Sequence, residues 1–122
     1  MIIEKGADDE VLVLRSLGIQ IDIAGLIDDI NNNDGQYQLC ECSTSRLLEA
    51  NKSDGINKDV LAQMSKSRSN QPILITAIDK YEWIIDGNHR LFKRAELAKE
   101  STRYIPINGV QLDPFVSEFS LR

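Results

Sequence analysis

The chain has 122 residues, 42% of them apolar and 27% charged, with a formal net charge of −5. That size holds one hydrophobic core, and the balance is that of a globular chain, not a disordered, collagen-like or membrane one. No apolar run nears the roughly 20 residues that a membrane helix needs, and the start MIIEKGADDE lacks the features of a secretion signal, so the cytoplasm is the expected address.

Residues 1–60 carry twelve acidic and five basic side chains, a balance of −7, whereas residues 61–122 carry seven acidic and nine basic, a balance of +2. An acidic total argues against a general nucleic-acid binder, whose phosphate contacts need clustered Lys and Arg. The mildly basic second half leaves room for a local anion site. The acidic first half offers a surface to a basic protein partner.

In chain order, Val11-Leu12-Val13-Leu14 fits either a buried strand or a short helix ended by Gly18. The acidic run Asp8-Asp9-Glu10 suits a helix start and tilts the reading to helix. Ile23, Leu26, Ile27 and Ile30 recur at helical spacing behind Asp22, a natural N-cap, which predicts a helix near 22–31 despite Gly25. The cluster Asn31-Asn32-Asn33-Asp34-Gly35 stops it. Residues 1–35 thus read as an N-terminal extension, helical and packed on the domain formed by 36–122.

Tyr37, Leu39 and Glu41 alternate with Gln38, Cys40 and Cys42, which predicts a strand. Ser43-Thr44-Ser45 then caps a short turn carrying Leu47 and Leu48. Asn57 caps a helix whose apolar face is Val60, Leu61 and Met64, and Ser67 to Gln71 reads as a polar loop. Ile73 to Ile78, the turn at Asp79-Lys80, and Tyr81 to Ile85 form a β-hairpin over 72–85. After Asp86-Gly87-Asn88-His89-Arg90 a helix over 91–98 places Leu91, Ala95 and Ala98 on one face, and Ile105-Pro106-Ile107 restarts a strand. Strand, helix, hairpin, helix, strand is a small α+β domain with a mixed sheet. Tyr81, Trp83 and Phe92 read as core residues. Cys40 and Cys42 share one strand face and also read as packing; a zinc site made from them and His89 lacks a fourth ligand.

The junction at 83–94 carries the chemistry. Gly87 allows a sharp turn and lets a ligand approach the backbone. The first N–H groups of the following helix have no intrahelical partner, and the helix dipole adds partial positive charge there. Together they make an anion site, to which Arg90 would add a planar cation and Asn88 and His89 further donors. The bland alternatives are Asp86 as a helix cap, Arg90 as its ion-pair partner, and Lys93 and Arg94 on a solvated face.

This arrangement resembles the ParB/sulfiredoxin-like superfamily. The matching residues are Trp83-Ile84-Ile85-Asp86-Gly87-Asn88-His89-Arg90-Leu91, then Ala95-Glu96-Leu97 and Tyr104-Ile105-Pro106-Ile107, with Gln71-Pro72-Ile73-Leu74-Ile75 and Leu39 to Leu48 upstream. The likeness covers about 36–110. It implies nucleotide binding at the turn: relatives bind CTP or ATP there, and some transfer a phosphoryl group. It would make Gly87, Asn88, His89 and Arg90 phosphate contacts, and Asp86 a Mg²⁺ ligand or the group that orients Arg90 or His89. The segment Arg46 to Ala50 resembles the one that carries a catalytic Glu in kinase relatives, which nominates Glu49 as general base beside Asp86 and His89. Asn88 stands where sulfiredoxins carry Cys, so sulfinate reduction is not expected. With the sequence ending at Arg122, the helix-turn-helix domain of a partition clamp is not expected. Three functions are therefore expected in order: an ATP- or CTP-dependent phosphotransferase or NTPase, a non-catalytic acidic inhibitor or immunity protein on the same fold, and a DNA-binding or nicking activity.

Overall fold

The computed structural model describes residues 3–5, 10–50, 56–78 and 80–118. Val11–Leu14 (β1) and Ile19–Asp22 (β2) form an antiparallel pair with Val11 opposite Asp22. The helix expected over 11–14 is therefore a strand. β-branched Val11 and Val13 gain a ladder partner in β2, which outweighs the preference of the acidic run; Asp8 and Asp9 lie outside the described residues. Ile23–Asn32 (α1) follows, its N-terminus closed by Asp22 Oδ1, which accepts from the Gly25 N–H at 2.9 Å. Its apolar face is fully used: Ile23, Ala24, Leu26, Ile27 and Ile30 are buried. The first 35 residues are thus only partly the helical extension expected.

The strand expected from Tyr37 starts later, at Cys40–Ser43 (β3), because Tyr37 is buried against α1 with its hydroxyl donated to Asp29. Thr44–Ala50 (α2) and Lys58–Gln63 (α3) follow. α3 buries no residue, and Val60 on its supposed apolar face is exposed. The expected loop after it begins instead as Lys66–Ser69 (α4), because Ser65 Oγ accepts from the Arg68 N–H at 3.0 Å and caps a turn. Ile73–Ile78 (β4) and Tyr81–Asp86 (β5) make the expected hairpin; Asp79 at its tip lies outside the described residues. Tyr81, expected in the core, is 63% exposed at the hairpin end. Asn88–Glu96 (α5), Ser101–Ile107 (β6), Gly109–Leu112 (α6) and Val116–Glu118 (β7) complete the order. Ala98, expected on the apolar face of α5, lies beyond the helix at φ +57° and is exposed.

The strands form two sheets, β1-β2-β7 and β3-β6-β4-β5. The second is mixed: β4 and β6 are parallel and the other pairs antiparallel. The fold is thus α+β. One face of this sheet gives Leu74, Ile85, Ile105 and Ile107 to a core shared with α1, β2 and Ile3. The other face gives Ile73, Ile75, Ile84 and Tyr104 to a smaller cluster under α2 and α5, closed by Leu47 and Leu91. To reach β6, α5 crosses over β4, which fixes its N-terminus at the end of β5 and over the start of β4. No described helix is long and apolar enough to cross a membrane.

Candidate functional site

The site is built where β5 ends. Pairing of β4 with β5 slips between Leu74 and Ile75, so that Leu74 faces Asp86 while Ile75 faces Ile84. The extra residue is Ile85, and the bulge re-aims Asp86 just before the bend. Gly87 then takes φ +104°, ψ 17° as N-cap of α5, with no side chain capping the helix. The position has no room for a Cβ, which would stand 2.6 Å from Ile73 Cγ2 and 2.9 Å from Arg90 Nη2. The first intrahelical bond runs from the Leu91 N–H to the Gly87 carbonyl at 2.9 Å. The N–H groups of Asn88, His89 and Arg90 lie ahead of it, with no carbonyl of their own helix to reach.

The side chains around these amides are less open than the motif suggested. Arg90 is 2% exposed. Its Nη2 donates to the Pro72 carbonyl at 2.8 Å and to Asp86 Oδ2 at 3.0 Å. Arg90 is therefore not the solvent-facing phosphate clamp expected. Both its acceptors lie inside, Pro72 at the entry to β4 and Asp86 at the bulge, and the guanidinium follows them. This matches the alternatives in which Arg90 is an ion-pair partner and Asp86 orients it. Asp86 gives Oδ2 to Arg90, and the described residues hold no group of three or more His, Cys, Asp or Glu side chains able to take a metal ion. Cys40, Cys42 and His89 do not come together as such a group.

His89 is half-buried, and its Nε2 accepts from the Asn57 N–H at 3.1 Å. The ring proton then sits on Nδ1, which leaves a donor for a ligand. Asn57 also caps α3, its Oδ1 accepting from the Asp59 N–H at 2.9 Å, so one residue ties α3 to the mouth of α5. Two polar atoms at the bend, Asn88 Oδ1 and Arg90 Nε, are buried without a hydrogen-bond partner. Each costs free energy as it stands. Nε is a donor, as an anion site requires, whereas Oδ1 is an acceptor and would need a ligand hydroxyl or amine.

Further along α5, Arg94 is spent on structure, donating to Ser101 O, Thr102 Oγ1 and Asn70 Oδ1. Lys93, half-buried, has no hydrogen bond or ion pair with a described residue and stands one turn after His89 on the same side of the helix. Arg68 also belongs to this region. Its guanidinium donates to Glu4 O and Gln71 Oε1, and burial first, then the nearby charge of Arg90, push its pKa down, against the pull of Asp86, Glu4 and Glu10. The structure thus brings Asp86, Gly87, Asn88, His89 and Arg90 to one bend. Glu49 stands apart, exposed on α2 and with no hydrogen bond or ion pair to another described residue.

Sequence reading missed Arg68, the backbone of Pro72 and the link from Asn57 to His89. Gly87 carried a signal for the second of these, since a strand-end glycine marks close backbone approach. Nothing local marks the others. Comparison with models of known protein families, with curated proteins and with solved structures finds no match for this chain.

Proposed function

We propose that the chain binds a nucleoside triphosphate, ATP or CTP, through its phosphates at the Gly87 bend, as the ParB/sulfiredoxin-like proteins that its motif resembles do. The observation that carries the reading is the bare N-terminus of α5. Three amides follow a glycine N-cap, with no side chain hydrogen-bonded to cap them, and the helix dipole lends them positive potential. His89 Nδ1–H and Lys93 border these amides on one side of the helix, and they take the part first assigned to Arg90. Arg90 becomes a positioning residue that pins the bend to β4 and β5. Asp86 holds Arg90, and any phosphoryl transfer or hydrolysis would rest on His89, with Asp86 beside it, and on Glu49, whose helix packs against α5. The reading places the protein in the cytoplasm, where such nucleotides are found.

Isothermal titration with ATP and CTP, with and without Mg²⁺, tests it. The expected result is binding with Kd on the order of micromolar, equivalent to roughly 8 kcal/mol, weakened by His89→Ala and by Lys93→Ala. Absence of heat with every nucleoside triphosphate would favour the second reading, a non-catalytic acidic protein that keeps the fold and masks a basic partner. The inward turn of Arg90 is the observation on that side.

A further inference from the structure

The thiols of Cys40 and Cys42 lie outside the Gly87 bend and play no part in the proposed phosphate site. The register of β3 on β6 sets Cys40 opposite Tyr104 and Cys42 opposite Thr102, so alternation directs both thiols to the face that carries α2 and α5. Both are free and half-buried. Cys42 packs at the margin of the cluster closed by Leu47 and Leu91, not inside it.

Residues two apart on a strand have Cα atoms roughly 6.6 Å apart. That is close to the upper limit of about 6.8 Å for a disulfide, so direct S–S bonding would strain the strand. A single atom between the sulfurs relieves the constraint, because two metal–thiolate bonds of about 2.3 Å extend the bridge. β3 is a four-residue edge strand, so one of its sides has no neighbouring strand. The donor set is two sulfurs and no more, since no third His, Cys, Asp or Glu among the described residues joins them. Tetrahedral Zn²⁺ and the oxygen-seeking Mg²⁺ and Ca²⁺ are poorly served by such a pair. A soft ion content with few thiolate ligands is well served.

We propose that Cys40 and Cys42 bind one Cu(I) ion as a bis-thiolate pair. Two S–H bonds break, two protons leave to solvent, two S–Cu bonds form, and no electron is transferred. The resulting centre carries one negative charge.

The test is an anaerobic titration of the reduced, intact protein with Cu(I) in competition with a chromophoric Cu(I) chelator. One Cu(I) per chain is expected, with affinity falling by more than an order of magnitude in Cys40→Ser and again in Cys42→Ser. A serine variant that keeps the wild-type affinity overturns the proposal. A second measurement needs no variant: Cu(I) should protect both thiols of the wild-type chain from maleimide, read by mass. Labelling of either thiol at the metal-free rate overturns the proposal as well. Neither readout depends on nucleotide binding, so failure here leaves the phosphate site untouched.

Discussion

A Cβ at position 87 would meet Ile73 Cγ2 at 2.6 Å, on a backbone at φ +104° where L side chains are strained. Ile73 is branched at Cβ and fully buried, so it has no free end to swing away. Gly87→Ala should therefore cost about 2–4 kcal/mol of stability, combining the dihedral strain with the clash, and urea unfolding measures it. Tyr37 offers a pH-dependent case. Burial first, and then the Asp29 carboxylate that accepts its hydroxyl proton at 2.5 Å, hold its phenol above the ordinary value. The native state keeps a proton that the unfolded chain releases above about pH 10, so this contribution is complete below that pH and is lost as pH rises. Tyr37→Phe should destabilise by about 1 kcal/mol at pH 8. The gap between the two proteins should narrow as unfolding is repeated above pH 10.

At the scale of elements, the bend is a joint between β5, α5 and the entry to β4, and Arg90 is its bolt. Breaking a buried pair leaves an uncompensated charge, so Arg90→Ala or Asp86→Ala should each cost about 3–5 kcal/mol. The double variant should cost less than the sum, because each single change strands the same partner; a double-mutant cycle in urea reads that coupling. The sequence made the elements legible where local chemistry was complete: Asp22 ahead of an isoleucine–leucine stripe, the hairpin over 72–85, and a glycine opening α5. It misled where the deciding partner was remote. Val11 to Leu14 became a strand because β2 pairs with it, and Tyr81 left the core because it lies next to the hairpin turn, opposite Ile78. The site followed the same rule. Gly87 and the bare amides are local properties and were readable. The direction of Arg90 depends on a carbonyl 18 residues earlier, at Pro72, and on a bulge that no residue pattern announces.

For the whole molecule, the first 35 residues supply half of one core. Leu14, Ile21, Ile23, Leu26, Ile27 and Ile30 pack with Leu74, Ile85, Ile105 and Ile107, and β2 pairs with β7 from the far end of the chain. A fragment of residues 36–122 would present that face of the second sheet to water. Each large side chain left exposed forfeits about 1.5–3 kcal/mol, which exceeds the stability of a domain this small within a few residues. The fragment should therefore lack a cooperative thermal transition and a dispersed amide spectrum, whereas the full chain shows both. The first 35 residues are thus structurally inseparable from the part of the chain that carries the bend, whatever they also offer to a partner.

The most direct measurement is an amide ¹H–¹⁵N titration of the intact protein with ATP. Saturable shifts centred on the backbone amides of Asn88, His89 and Arg90 are the predicted result, because those groups would hold the phosphates. Unmoved amides at these three positions, with ATP at millimolar concentration and the protein folded, would contradict the account.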